Sequence, residues 1–145
     1  MMVASRKAGF TIVELLIVIV VIGILAAITI VAYNGIQARA NDARRDSDIK
    51  QLKTALAIYK SDTSLYPDAC GSGTGCNVSN LASALVPGYL GKIPQDPNSA
   101  TPYNYVRATS SDDSYGIRVS YQAKPTCKTG VNIVADWWGT TTPTC

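Results

Sequence analysis

From Phe10 to Ala32 the chain is apolar at almost every position, with Thr11, Glu14 and Thr29 as the polar exceptions. These 23 residues, at ~1.5 Å per residue, predict a helix of about 34 Å, long enough to cross the hydrocarbon of a bilayer. From Asn34 to about Lys60 the pattern changes to a helical period. Ile36, Ala40, Ala43, Ile49, Leu52, Leu56 and Tyr59 recur at three- and four-residue steps, broken only between Ala43 and Ile49, and are expected to cover a globular domain. Arg39, Asp42, Arg45, Asp46, Lys50, Lys53 and Lys60 fall on other faces, where they are expected to be solvated or to touch neighbouring subunits. Asp46 and Lys50 form an i,i+4 pair in the better orientation, worth about 0.2–0.5 kcal/mol. No proline interrupts residues 10–66, so one helix of about 50 residues is expected. It should end at Ser64-Leu65-Tyr66-Pro67, because the residue before a proline avoids the helical basin.

Beyond that point the elements shorten. Asn77 or Ser79 is placed to cap a short helix through Leu81 and Leu85, stopped by Pro87-Gly88. Alternation at Tyr103/Tyr105, at Tyr115/Ile117/Val119/Tyr121 and at Val131/Ile133/Ala135 predicts three strands, each with one face for the helix. Ser110-Ser111-Asp112-Asp113 reads as the turn between the first two, and Lys124-Pro125-Thr126-Cys127 leads to the third. The fold class is α+β: a long N-terminal helix, its first half transmembrane, packed on a small antiparallel sheet of three or four strands. The layout is a leader at 1–9, a membrane helix at 10–32, its amphipathic continuation at 33–62 and a globular head at 63–145.

Composition narrows the chemistry. Histidine is absent, so the commonest general base and metal ligand is missing, and Glu14 is the only glutamate beside nine aspartates. An enzyme is not expected, nor any cofactor or metal. Paired Asp112-Asp113 sits in a polar turn where acids are ordinarily solvated, and a calcium site needs more oxygen ligands. The net charge is only +3, with Arg6 and Lys7 included, which is no nucleic-acid signature. The glycine-rich stretch Cys70-Gly71-Ser72-Gly73-Thr74-Gly75-Cys76 lacks the Lys-Ser/Thr of phosphate-binding loops.

Cys70, Cys76, Cys127 and Cys145 all follow the apolar run. They admit three pairings, and a small domain outside the cytosol is where disulfides persist. The preferred reading is Cys70–Cys76 with Cys127–Cys145, loops worth about 2 and 3 kcal/mol in the chain-entropy model. Zinc fails on the spacing.

Glu14 poses the main question. A charge at mid-membrane costs about 2.5–3.5 kcal/mol, less near the end of the span, whereas each Leu, Ile or Val returns roughly 0.3–0.6. Insertion wins, and the carboxylate still needs a partner. No cation lies in the apolar stretch, so the partner must come from outside it or be made by cutting the chain. Cleavage after Gly9 would give Phe10 a free amine four residues before Glu14.

Arg6-Lys7-Ala8-Gly9 followed by Phe10-Thr11-Ile12-Val13-Glu14 and an apolar run resembles the class III leader and cleavage site of type IV prepilins and the related pseudopilins. Tyr66-Pro67 matches a common junction in both groups. Tyr89 to Pro97, with Pro102-Tyr103-Asn104-Tyr105, resembles the loop and first strand of the major pseudopilins of type II secretion and of pilins sharing that layout. The resemblance implies that a membrane prepilin peptidase cuts between Gly9 and Phe10 and N-methylates Phe10. It also implies that basic Arg6 and Lys7 stay cytoplasmic, that the C-terminus lies outside, and that Glu14 pairs with the Phe10 amine of an adjacent subunit as the helices form a filament core.

The expected function is therefore a structural subunit of a type IV pilus: a single-pass membrane protein, then part of an extracellular filament for adhesion, motility or DNA uptake. Its expected partners are further copies of itself, the peptidase, the membrane, and the assembly platform with its ATPase; DNA and host surfaces stay open as ligands. The alternatives are a pseudopilin of a secretion or competence system, and a monomeric membrane-anchored binding module. Trp137 and Trp138, in the tail that Cys145 would clip to Cys127, are candidates for surface recognition.

Overall fold

Thr63 is the last residue of a 52-residue helix, α1, that begins at Ile12. The structure is a computed structural model and describes residues 9–70, 75–108 and 113–145, the side chains of Val31, Ala32 and Asn34 excepted. After α1 come β1 (Cys76–Asn77), a 3-10 turn (Val78–Leu81), α2 (Ala82–Leu85), β2 (Asn104–Arg107), β3 (Tyr115–Val119) and β4 (Cys127–Val131). The chain divides into two units, Met1–Gln37 and Ala38–Cys145.

Among the described residues of the first unit α1 has no buried face. Its apolar side chains from Ile12 to Ile30 are exposed all round, with a mean hydropathy of 3.3 over the most apolar 18 residues. Length and composition suffice for a membrane span, and a helix apolar on every side needs lipid or other helices around it. Thr29 is a polar residue near the end of this stretch, and its hydroxyl donates to Ala26 O at 2.9 Å, which answers its hydrogen-bonding need locally.

The second unit is built on an antiparallel sheet in the order β1-β2-β3-β4. Tyr105, Tyr115, Ile117 and Val119 lie on one face and form a core with Ile49, Leu52, Ala55 and Leu56 of α1 and with Val78, Leu81 and Leu85. The helix ends where Ser64 adopts a left-handed φ of 68°. Asn77 caps the 3-10 turn, its Oδ1 accepting from Ser79 N–H at 2.9 Å. The Ser110–Asp112 part of the expected turn, and Gly71–Thr74 of the glycine-rich loop, lie outside the described residues.

Two expectations need correction. The third strand is not at Val131–Ala135 but at Cys127–Val131, because Asn132 turns left-handed (φ 47°) and ends the ladder. The buried stripe of α1 is also different before Ile49. Ile36, Ala40 and Ala43 are exposed, while Asp42, Arg45 and Asp48 are buried. The helical period is unbroken there; its inward positions are filled by charges that find partners, Asp42 with Arg45 and Asp48 with the Tyr103 hydroxyl.

Candidate functional site

Gly9 and Phe10 precede the helix, and Phe10 is 85% exposed. The Thr11 backbone N–H and hydroxyl donate to Glu14 Oε2 at 2.8 and 2.7 Å, and Glu14 N–H returns a bond to Thr11 Oγ1 at 3.2 Å. This reciprocal arrangement satisfies donors that a helix N-terminus leaves open. Sequence reasoning looked for the Glu14 partner elsewhere and missed Thr11, although Thr-x-x-Glu before an apolar run is the spacing of a capping box. Among the described residues no cation pairs with the charge itself. A Cβ added at Gly9 would meet nothing within 4 Å, so the fold places no demand for glycine at that position.

In the second unit Arg45 is wholly buried. Its Nε and Nη2 donate to Asp96 Oδ2 and Oδ1 at 2.7 and 2.8 Å, and its Nη1 to Asp42 Oδ1 at 2.7 Å. Asp42 also accepts from Gln122 N–H at 2.9 Å and Ala123 N–H at 2.8 Å. Arg45 thus ties α1 to the loop before β2, and Asp42 beside it ties α1 to the loop after β3. Burial works to raise the Asp42 carboxyl, but the two backbone N–H groups and Arg45 outweigh it and hold it below the usual carboxylate range.

With a single phenylalanine in the chain, tyrosine supplies the core aromatics, and each buried hydroxyl needs an acceptor. Tyr103 donates to Asp48 Oδ2 at 2.9 Å and Tyr105 to Pro67 O at 2.9 Å. Tyr121 donates to Asp46 Oδ1 at 2.5 Å, and Lys124 Nζ reaches Asp46 Oδ2 at 2.9 Å, so the contact ion pair of Asp46 crosses the fold to Lys124 while Lys50 acts on it through charge alone. These two partners hold the Asp46 carboxyl low.

Disulfides join Cys70 to Cys76 and Cys127 to Cys145. The second returns the C-terminal segment to the free edge of β4, where Lys128 N–H donates to Pro143 O at 2.8 Å and Cys145 N–H to Lys128 O at 2.9 Å. Trp137 and Trp138, both half-buried, lie over Gly116 on the sheet face turned away from α1, and Trp138 also reaches Gly75. Among the described residues no cluster of three or more His, Cys, Asp or Glu is arranged to hold a metal.

An apolar N-terminal helix joined to a helix-packed antiparallel sheet is the pilin-like α+β fold. The Prokaryotic N-terminal methylation motif matches residues 4–30, and the family model for Type II secretion system (T2SS), protein G, matches residues 32–127. The chain belongs to this protein G family, a family of structural pseudopilins and not of enzymes. It is similar to the type II secretion system core protein G of Aeromonas hydrophila, 36% identical over 98 residues, covering 63% of this chain and 68% of that protein. The proteins of the same name from Dickeya chrysanthemi (35% over 98 residues, 63% of each chain) and Pseudomonas aeruginosa (33% over 107 residues, 70% of this chain and 74% of that one) are also similar. No solved structure matches significantly. The expectation of a type IV pilus subunit therefore gives way to its alternative, a pseudopilin of type II secretion. The family match stops at Cys127, so Trp137, Trp138 and Cys145 lie beyond it.

Proposed function

We propose that this chain is the major subunit of a type II secretion pseudopilus. In this reading residues 1–9, with Arg6 and Lys7, are a cytoplasmic leader, residues 10–32 span the inner membrane, residues 33–62 continue the helix, and the head at 63–145 faces the periplasm. A prepilin peptidase cuts between Gly9 and Phe10 and methylates the new amine. The absence of any steric demand at Gly9 within the fold supports a demand made by the peptidase instead. Subunits then leave the membrane for a filament whose core is the apolar helix, with the Phe10 amine of one copy meeting Glu14 of the next. An unpaired carboxylate in low dielectric is expensive, so a subunit arriving in register is favoured. The secretion platform and its ATPase are the machinery this requires.

The observation that carries the reading is an apolar helix with every described side chain from Ile12 to Ile30 exposed, headed by Gly9-Phe10 and Glu14, in a chain with a protein G head. Mass spectrometry of the protein from its host should find a chain that starts at methylated Phe10, and Gly9→Leu should leave the precursor uncut. Glu14→Leu should insert in the membrane but yield few subunit crosslinks, and both variants should stop secretion. Undiminished secretion together with long Glu14-dependent filaments on the cell surface would make the protein a pilus subunit instead.

A further inference from the structure

The face of the sheet turned away from α1 carries a cation with no anionic partner among the described residues. Arg118 of β3 lies in register between Asn104 of β2 and Lys128 of β4, so two positive side chains stand directly opposite one another. Like charges in that position are destabilising. Lys128 is buried and answers its charge with carbonyls only, its Nζ donating to Ala135 O at 2.8 Å and Trp137 O at 3.2 Å. Arg118 has less. Its Cζ lies 5.8 Å from the centre of the Trp138 ring, and its buried Nε has no hydrogen-bond partner. Among the described residues no carboxylate pairs with it. The nearest acid along the tail, Asp136, is exposed and pairs with neither cation.

The buried Nε is closed to an incoming group, but Arg118 as a whole is only half-buried, so a partner's carboxylate can meet the guanidinium end-on at its two Nη groups. We propose that Arg118, flanked by Asn104 and Trp138, is a carboxylate-binding site that docks an acidic segment of a partner protein through an Asp or Glu side chain. Charge complementarity names the occupant. Two cations without an anion lie beside a pair of half-buried tryptophans, and tryptophan with arginine is the pairing that dominates protein interfaces. The site lies wholly within the second unit, on β2, β3 and the C-terminal segment.

Trp137 and Trp138 are the only tryptophans in the chain, so their emission reports on this site without any substitution. The full chain in detergent micelles, titrated with a fluorescein-labelled oligoglutamate peptide, should bind it and change tryptophan emission in step with binding. Arg118→Gln should weaken binding about tenfold or more, as expected for loss of hydrogen bonds to a charged group. Arg118→Lys should restore only part, since lysine lacks the fork, and Lys92→Gln, an exposed cation elsewhere on the unit, should change nothing. The proposal is overturned if the wild-type chain does not bind the peptide, if binding leaves tryptophan emission unchanged, or if Arg118→Gln binds as tightly. It is also overturned if polygalacturonate binds more tightly than the peptide through Arg118, which would make the ligand an acidic sugar.

Discussion

Arg45 and Asp96, fifty-one residues apart, meet in a two-point contact at 2.7 and 2.8 Å with the guanidinium fully buried. Removing one member of a buried pair leaves an uncompensated charge, which typically costs about 3–5 kcal/mol. Asp96→Ala should lower stability by that order, read as a fall in the urea midpoint of the tyrosine near-ultraviolet circular dichroism signal. The triple variant Asp42→Asn, Arg45→Met, Asp96→Leu should recover part of the loss, because no orphan charge remains. Equal losses in the single and triple variants would mean that the site is held by shape rather than by charge.

Asp42 makes the fold sensitive to acid. Its carboxyl is held low in the folded chain, so its contribution is complete above about pH 4, the unfolded value, and is lost as pH falls through the lower native one. Asp42→Asn should be less stable than wild type at neutral pH, and the two stability curves should converge as the pH drops below about 4. A residual acid slope should survive in the variant, since Asp46 is held low as well. Parallel curves for the two proteins would remove Asp42 from the account.

The long helix, the sheet class and the leader motif were legible because each is written in local periodicity or in a contiguous motif. The stripe from Ile49 to Leu56 could be read for the same reason. What stayed hidden depends on partners distant in sequence. Asp42 and Arg45 look like surface charges until Asp96 and the N–H groups of Gln122 and Ala123 come into view. Alternation ran on past Val131 to Ala135, and only the left-handed Asn132 shows why the strand does not. Trp137 and Trp138 could be named as candidates for surface recognition, but the sequence does not show that the room they occupy is left by Gly116 of β3. Thr11 is different: its spacing to Glu14 was visible and went unused.

Two glycines of the β3–β4 pair face each other and are required for different reasons. A Cβ on Gly130 would stand 2.0 Å from Tyr115 O, a backbone atom that cannot move aside without opening the ladder. A Cβ on Gly116 would stand 2.8 Å from Trp137 Cε3, part of a side chain that can be displaced. Gly130→Ala should therefore destabilise the head and yield little soluble protein in detergent extracts. Gly116→Ala should fold, with tryptophan emission shifted to the red as Trp137 is pushed toward water. Should Gly130→Ala match wild type in yield and midpoint, the close approach of the two strands would be wrong.

The two disulfides should differ in what their loss does. Cys127–Cys145 spans 18 residues and Cys70–Cys76 spans 6, so chain entropy alone favours the longer loop, about 3 against about 2 kcal/mol. The longer one also holds the segment whose Pro143 and Cys145 backbone groups bond to Lys128 at the edge of β4 and whose tryptophans cover Gly116. Without the bridge those few bonds must hold the segment alone, against the entropy it regains on release. Cys145→Ser should therefore lower the unfolding midpoint further than Cys70→Ser, redden tryptophan emission, and open the chain after Val131 to limited proteolysis while β2 and β3 stay protected. A tail that resists protease equally with and without Cys145 would mean that packing of Trp137 and Trp138 on the sheet is enough to hold it, and that the disulfide acts on the unfolded chain only.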